Sequence, residues 1–277
     1  MKSGCYSEFD RLKRVVLCEP RYMKIKDVIN ETQKVFENEG IHIQTALRQH
    51  EEFVRTLEQL GIEVTLLPSF ERFPEQVFTR DIGFTLGTEV YVAEMGTDIR
   101  SGEEEVLMEW LKKEDIPFKN LTGDKIEGGD VIIDRDTIFA GISNRTNMDS
   151  AEKLKKMLPE FEVIPVPFTD TYLHLDCVFN IISPHEALIF PGEIHAGQLE
   201  VLKSRYELIE VSEEEQFTLG TNVLSVGDQR IISLPVNKKV NQELRSRGYE
   251  VIEVDLTEII KSGGAFRCCT MPVLRER

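Results

Sequence analysis

The chain has 277 residues, 41% hydrophobic and 30% charged, enough apolar material for a sizeable core. Its 33 basic against 49 acidic residues leave a net charge of −16, which argues against nucleic acid as a partner because phosphate binding needs a basic face. Five cysteines without C-x-x-C spacing fit a reducing compartment. No signal-peptide core or membrane-length apolar stretch (~20 residues) is evident, so a cytoplasmic protein with no membrane partner is expected.

In chain order, residues 13–18 (KRVVLC) read as a strand, 45–60 as a helix and 62–67 (IEVTLL) as a second strand. A pattern then repeats: a polar loop enters an apolar strand, crosses a polar turn and leaves by another strand. The repeats start near Phe78, Glu127, His174 and Gly220, and a fifth near Phe266 has a single strand. The starts lie 49, 47, 46 and 46 residues apart, a period that signals a ring or array. Helical stretches follow each hairpin. Residues 103–113 place Val106, Leu107, Trp110 and Leu111 on one stripe, and 149–158 opens on a capping residue, Asp149. Residues 196–205 and 239–247 complete the set, each followed by a short extended segment. The module is therefore ββαβ. Residues 13–18 supply the missing partner of the last strand, so the two ends pair, close the ring and remove sheet edges. A constant period across residue 157 favours one domain over 1–277 rather than two α/β domains.

The equivalent mouths of these units carry Asp81, Glu127, His174 with Asp176, and Cys268 with Thr270. In a cyclic arrangement they converge on one central pocket. His174 and Asp176, two apart on a strand, share a face, as do Cys268 and Thr270, leaving Cys269 on the other side. Cys268 follows the Gly263-Gly264 turn and stands beside Arg267, a cation that favours the thiolate. A thiol, an imidazole and carboxylates are the ingredients of nucleophilic catalysis with an acid/base partner. Each has an ordinary structural reading alone: a buried apolar cysteine, a hydrogen-bonding histidine, an Arg80–Asp81 ion pair, a solvated Arg145. Asp130 reads as structural. Their order on one period sets the group apart. His42, His50, His185 and His195 have no ligand spacing with the cysteines, so no metal is expected.

FTRD, EGGD, HLD and GGAFRCCT, in this order, resemble the pentein (amidinotransferase-like) superfamily, which includes arginine deiminases, dimethylarginine dimethylaminohydrolases and glycine amidinotransferases. The resemblance covers nearly the whole chain. It implies an α/β fold, a five-fold pseudosymmetric propeller of ββαβ units around a central pocket, with no cofactor. It implies that Cys268 attacks a guanidinium carbon, that His174 is the general acid/base, and that Glu127 is the carboxylate beside it. Asp81 and Asp176 would bind the guanidinium, Arg145 and Arg100 the substrate carboxylate, and Phe78 would lie on the guanidinium face. The implied partner is a small cationic guanidino substrate; a homodimer is compatible with it.

Glu127 is like the hydrolases, whereas glycine amidinotransferases carry aspartate there. Asp176 is like the deiminases, whereas dimethylarginine enzymes usually carry lysine; it would hydrogen-bond an unmethylated nitrogen. The compact length and the Cys268-Cys269 pair are closer to the dimethylarginine enzymes. Arg267 stands where deiminases have histidine. Glu75, six before Asp81, stands where they have asparagine, and joins the substrate-binding set. The expected activity is metal-independent hydrolysis of arginine or a methylated arginine to citrulline. The alternatives are amidino transfer to an amine, an arginine dihydrolase giving ornithine, and a non-catalytic relative binding an arginine-like ligand or a partner, which would not need the thiol.

Overall fold

The alternating apolar runs form strands in the computed structural model, which describes residues 3–26, 28–121, 123 and 125–277. The chain begins with β1 (Arg11–Cys18), α1 (Glu31–Phe36), α2 (Ile43–Gln59) and β2 (Glu63–Leu67). There follow β3 (Gly83–Leu86), β4 (Glu89–Val92), α3 (Glu103–Lys113) and β5 (Phe118–Asn120). The next unit is β6 (Val131–Asp134), β7 (Thr137–Ile142), α4 (Met148–Met157) and β8 (Glu162–Pro167). Then come β9 (Phe179–Ile181), β10 (Glu186–Ile189), α5 (Ala196–Arg205), β11 (Glu207–Glu210) and the short α6 (Glu213–Phe217). The chain closes with β12 (Leu224–Gly227), β13 (Arg230–Ser233), α7 (Lys238–Ser246), β14 (Glu250–Glu253) and β15 (Met271–Glu276).

These strands make five three-stranded sheets of one design. In each, the middle strand is antiparallel to one neighbour and parallel to the other, the parallel partner following a helix. The sheet β15-β1-β2 takes its antiparallel pair from opposite ends of the chain, with Arg11 opposite Glu276 and Val16 opposite Met271. β3, β6, β9 and β12 are buried on both faces, whereas the parallel strands β2, β5, β11 and β14 each carry exposed residues. The helices show why the sequence pattern was readable. α2 buries Ala46, His50, Phe53 and Leu57 along one stripe, and α3 buries Val106, Leu107 and Leu111. Trp110 is only half-buried and carries the Arg14 guanidinium over its ring, 5.2 Å from the centroid. The cap of α4 is Asn147, whose side chain accepts from the Ser150 amide, two residues before the expected Asp149. None of the helices is long and apolar enough to cross a membrane among the described residues.

One local expectation is corrected. His174 and Asp176 do not lie on a strand; Leu175–Cys177 is a turn of 3-10 helix leading into β9. Residues 266–269 are likewise a turn before β15, and Thr270 donates its hydroxyl to the Phe266 carbonyl at 2.7 Å. Comparable short segments precede β3, β6 and β12, so the same place on each sheet offers an irregular backbone whose side chains are free of pleat alternation. The turn at 266–269 is braced from outside by α2: Phe53 meets Phe266 edge-on, ring centroids 5.2 Å apart, both fully buried. Phe53→Ala should therefore cost about 3–5 kcal/mol of stability, read as a lowered denaturation midpoint at unchanged slope.

Candidate active site

Two glycines bring the β3 and β6 entrances into contact. A Cβ on Gly128 would fall 2.2 Å from the Arg80 carbonyl oxygen, and one on Gly129 would fall 2.7 Å from both Asp81 Oδ1 and His174 Cγ. Only glycine permits that approach. The Gly128 amide then donates to the Asp81 carbonyl at 2.9 Å. Asp130, beside them, accepts from the Leu175 amide at 2.9 Å and from the Ser143 hydroxyl at 2.6 Å, which pins the segment carrying His174. Burial pushes the Asp130 carboxyl up to about 7 despite His174 and these donors.

His174 sits between two carboxylates. Its Nε2 is 2.6 Å from Glu127 Oε2 and its Nδ1 3.3 Å from Asp81 Oδ1, all three residues being buried. Burial opposes a charge on the imidazole, but Asp81, then Glu127 and Asp130, outweigh it and raise His174 to about 10. Burial also opposes the Glu127 charge; the hydrogen bond and charge of His174, with Arg100 and Arg145, bring that carboxyl down to about 2. Glu127 Oε1 accepts the Gly96 amide at 2.7 Å. Both shifts favour an imidazolium held between carboxylates.

Cys268 faces the same slot. His174, Cys268, Asp81, Glu75, Phe78 and Arg100 wall it, together with Ile29, Leu173, Cys177 and residues 262–264. Phe78 lies against Gly264, where a Cβ would come within 2.4 Å of its ring. The slot has only about 10 Å³ of free space, room for about one water, so a guanidinium enters only if a wall moves. Ile29 and Leu173 also wall an outer cavity of about 240 Å³ with Arg145, Asn144, Asp170 and Tyr172. Arg145 is 7% exposed, and its Nη1 has no hydrogen-bond partner and lies 4.0 Å from Glu127 Oε1. A larger cavity of about 680 Å³, walled by Tyr6, Phe9, Arg135, Phe161 and Arg277 among others, holds neither thiol nor imidazole.

The remaining expected residues have distinct places. Arg100 is turned inward: Nη1 is 2.5 Å from Asp81 Oδ2, Nη2 is 2.9 Å from Glu103 Oε2, and Nη2 also donates to the Phe78 carbonyl. Asp176 lies beside the sulfur rather than on the slot wall, with Oδ1 3.7 Å from Cys268 Sγ and Oδ2 3.5 Å from Arg267 Nε. Burial raises its carboxyl, with Arg267 opposing. Arg267 donates to Glu8 at 2.8 Å and Arg80 to the same carboxylate at 3.0 Å, so both arginines point away from the slot. Burial alone would raise Glu8, but Arg267 and Arg80 hold it well below the usual carboxylate range. Glu75 accepts from Gln33 at 2.9 Å and Ser262 at 3.0 Å; burial, against Arg100, pushes it up to about 7. Cys269 is buried and walls no part of the slot, its thiol pushed well above the ordinary range by burial.

Sequence reasoning missed two neighbours of the sulfur. Cys177 Sγ is 3.9 Å from Cys268 Sγ, and Asn222 Nδ2 donates to that sulfur at 3.2 Å. Ligating atoms of Asp81, Glu127 and His174, and separately of Asp176, Cys177 and Cys268, lie within 4.8 Å of one another, spacing that could hold a metal ion. In the first set the imidazole is already shared between the carboxylates.

The family model for N,N dimethylarginine dimethylhydrolase, eukaryotic, matches residues 19–275. The uncharacterized protein YkgA of Bacillus subtilis is 52% identical over 274 residues, covering 99% of this chain and 96% of that one. An N(G),N(G)-dimethylarginine dimethylaminohydrolase of Mycobacterium tuberculosis is 25% identical, covering 95% and 86% respectively. Among solved structures, a variant N-terminal domain of the cyanobacterial arginine dihydrolase ArgZ, covalently bonded to a reaction intermediate, aligns at TM-score 0.87. It is 27% identical and covers 95% of this chain and 98% of that domain.

The sign of the His174 shift gives a pH test. Folding stabilises the protonated imidazole, so its contribution is complete below the unfolded value near 6.5 and is lost as pH rises through about 10. The unfolding free energy of the wild type relative to His174→Gln should stay level below pH 6.5 and shrink steadily up to pH 10. A difference that grows as pH rises to 6.5 and is level above it would show a neutral imidazole instead.

Proposed function

The chain belongs to the N,N dimethylarginine dimethylhydrolase family, and from that premise we propose that it hydrolyses the guanidino group of a free amino acid. This family and its deiminase relatives act on guanidino groups. Arginine is the substrate we assign, with citrulline and ammonia as products. The observation that carries the reading is that the Cys268 sulfur and the doubly paired His174 wall one slot together with the Asp81 carboxylate.

The Cys268 thiolate adds to the guanidinium carbon. His174, holding its proton against Glu127 and Asp81, delivers it to the departing nitrogen, and ammonia leaves a cationic S-alkylthiouronium. Now neutral, His174 takes a proton from water as the water attacks the same carbon. The C–S bond then breaks as the added hydroxyl gives its proton to solvent, returning the thiolate, the protonated His174 and citrulline. Holding sulfur and carbon in contact in a closed slot replaces a bimolecular encounter, an advantage that can reach about 7–11 kcal/mol. The covalent intermediate of the ArgZ domain supports such an adduct. Asp176, beside the sulfur, suits a nitrogen that still carries hydrogens. Arg145, which walls the outer cavity and makes no hydrogen bond through Nη1, suits the α-carboxylate.

We also read the five sheets as the blades of one closed ring in a single domain. The terminal strands share a sheet, and β15 touches β3, β1 touches β12 and β6 touches β9. The likeness to ArgZ keeps a second reading in view, an arginine dihydrolase releasing ornithine.

Incubation with arginine, dimethylarginine and agmatine, followed by mass spectrometry, separates these outcomes. Citrulline without an added amine is expected; ornithine with two equivalents of ammonia would mark a dihydrolase, and an amidinated acceptor would mark transfer. Cys268→Ser should abolish turnover and Cys269→Ser should keep most of it, whereas equal losses would remove Cys268 as nucleophile. Arg145→Ala should raise the KM for arginine about ten- to a hundredfold, the size of a lost charge-assisted pair, and leave the poor use of agmatine unchanged. Agmatine preferred by the wild type would refute that role.

A further inference from the structure

One sheet entrance has no role so far. Asp81, Glu127, His174 and Cys268 come from the segments before β3, β6, β9 and β15, but the segment before β12 reads Gly220-Thr221-Asn222-Val223, with no ionisable group. Asn222 is fully buried and stands 46 residues before Cys268, one period of the repeat.

Its neighbours fix the orientation of its amide. Oδ1 lies 3.1 Å from the Arg267 backbone nitrogen and 3.2 Å from that of Cys268. Backbone N–H groups only donate, so the oxygen must face them. Nδ2 therefore faces the other way, donating to the Asp176 carbonyl at 3.0 Å and to the Cys268 sulfur at 3.2 Å. Both N–H groups are used, and one is aimed at the sulfur.

We propose that Asn222 is a positioning residue for the nucleophile, clamping the 267–268 backbone and donating a hydrogen bond that favours the Cys268 thiolate. The proposal rests on the reading of Cys268 as nucleophile. A donor gains more from an anion than from a neutral thiol. The sulfur needs such a donor, because the Asp176 carboxylate 3.7 Å away repels a second negative charge. Arg267 gives its Nη1 to Glu8, and its Nε and Nη2 make no hydrogen bond to the sulfur. An amide is also the type of donor that the reaction tolerates: a cation in its place would repel the incoming guanidinium, and a carboxylate would repel the thiolate.

The test reads the sulfur directly. Alkylation of Cys268 by iodoacetamide, followed by peptide mass spectrometry across pH without substrate, is compared in wild type, Asn222→Ala and Asn222→Asp, with melting temperatures alongside. In Asn222→Ala, which adds no charge, the alkylation profile should move to higher pH, and kcat for arginine should fall about ten- to a hundredfold with KM changing less. Asn222→Asp keeps an oxygen for the two backbone amides, so its melting temperature should exceed that of the alanine variant while its profile stays displaced. A folded Asn222→Ala whose profile coincides with wild type overturns the proposal; should that variant fail to fold, a coincident profile in Asn222→Asp does so. A wild type that alkylates at Cys268 but turns over no guanidino compound would instead defeat the proposed reaction.

Discussion

Charge taken out of water must be matched by charge taken out of water, and this constraint organises the centre of the molecule. Glu8 is shared by Arg80 and Arg267, Asp81 by Arg100 and His174, and Glu127 holds the other side of His174. Removing one member leaves its partner buried and uncompensated, at a cost of about 3–5 kcal/mol. The pairs also tie irregular segments together. Glu8, before β1, reaches Arg80 before β3 and Arg267 before β15, so one carboxylate fixes two of the five entrances. A guanidinium arriving at Asp81 must share that carboxylate with Arg100 or displace it.

The division of space follows from this balance. The inner slot is lined by reactive and charged groups and is almost filled, which strengthens every interaction made within it. The outer cavity is larger and presents opposite charges, Arg145 and Asp170. Ile29 and Leu173 wall both spaces, so the outer cavity and the inner slot adjoin.

Much of this was legible before any coordinates. Helices α2, α3 and α7 bury a stripe and α4 opens on a cap, and the starts of the repeat fall at the sheet entrances. What could not be read is what has no periodicity or charge. The five- and six-residue helices α6 and α1 are too short for an amphipathic signal, yet Gln33 of α1 reaches Glu75. Asn222 escaped because a search for ionisable groups passes over an amide, whose part depends on two backbone N–H groups 45 and 46 residues away. Cys177 escaped because its nearness to Cys268 is a fact of topology, not of spacing. Alternation misled at His174 and Cys268, since both stand on turns where the period of two does not apply.

The turn bearing Cys268 leads directly into β15, and the partner of β15 in its sheet is β1, drawn from the opposite end of the chain. Seating the sulfur therefore waits for the longest closure in the fold, the costliest in chain entropy. A polypeptide whose other four sheets have assembled would still lack the contact that seats this turn, and fraying of either extremity would reach it.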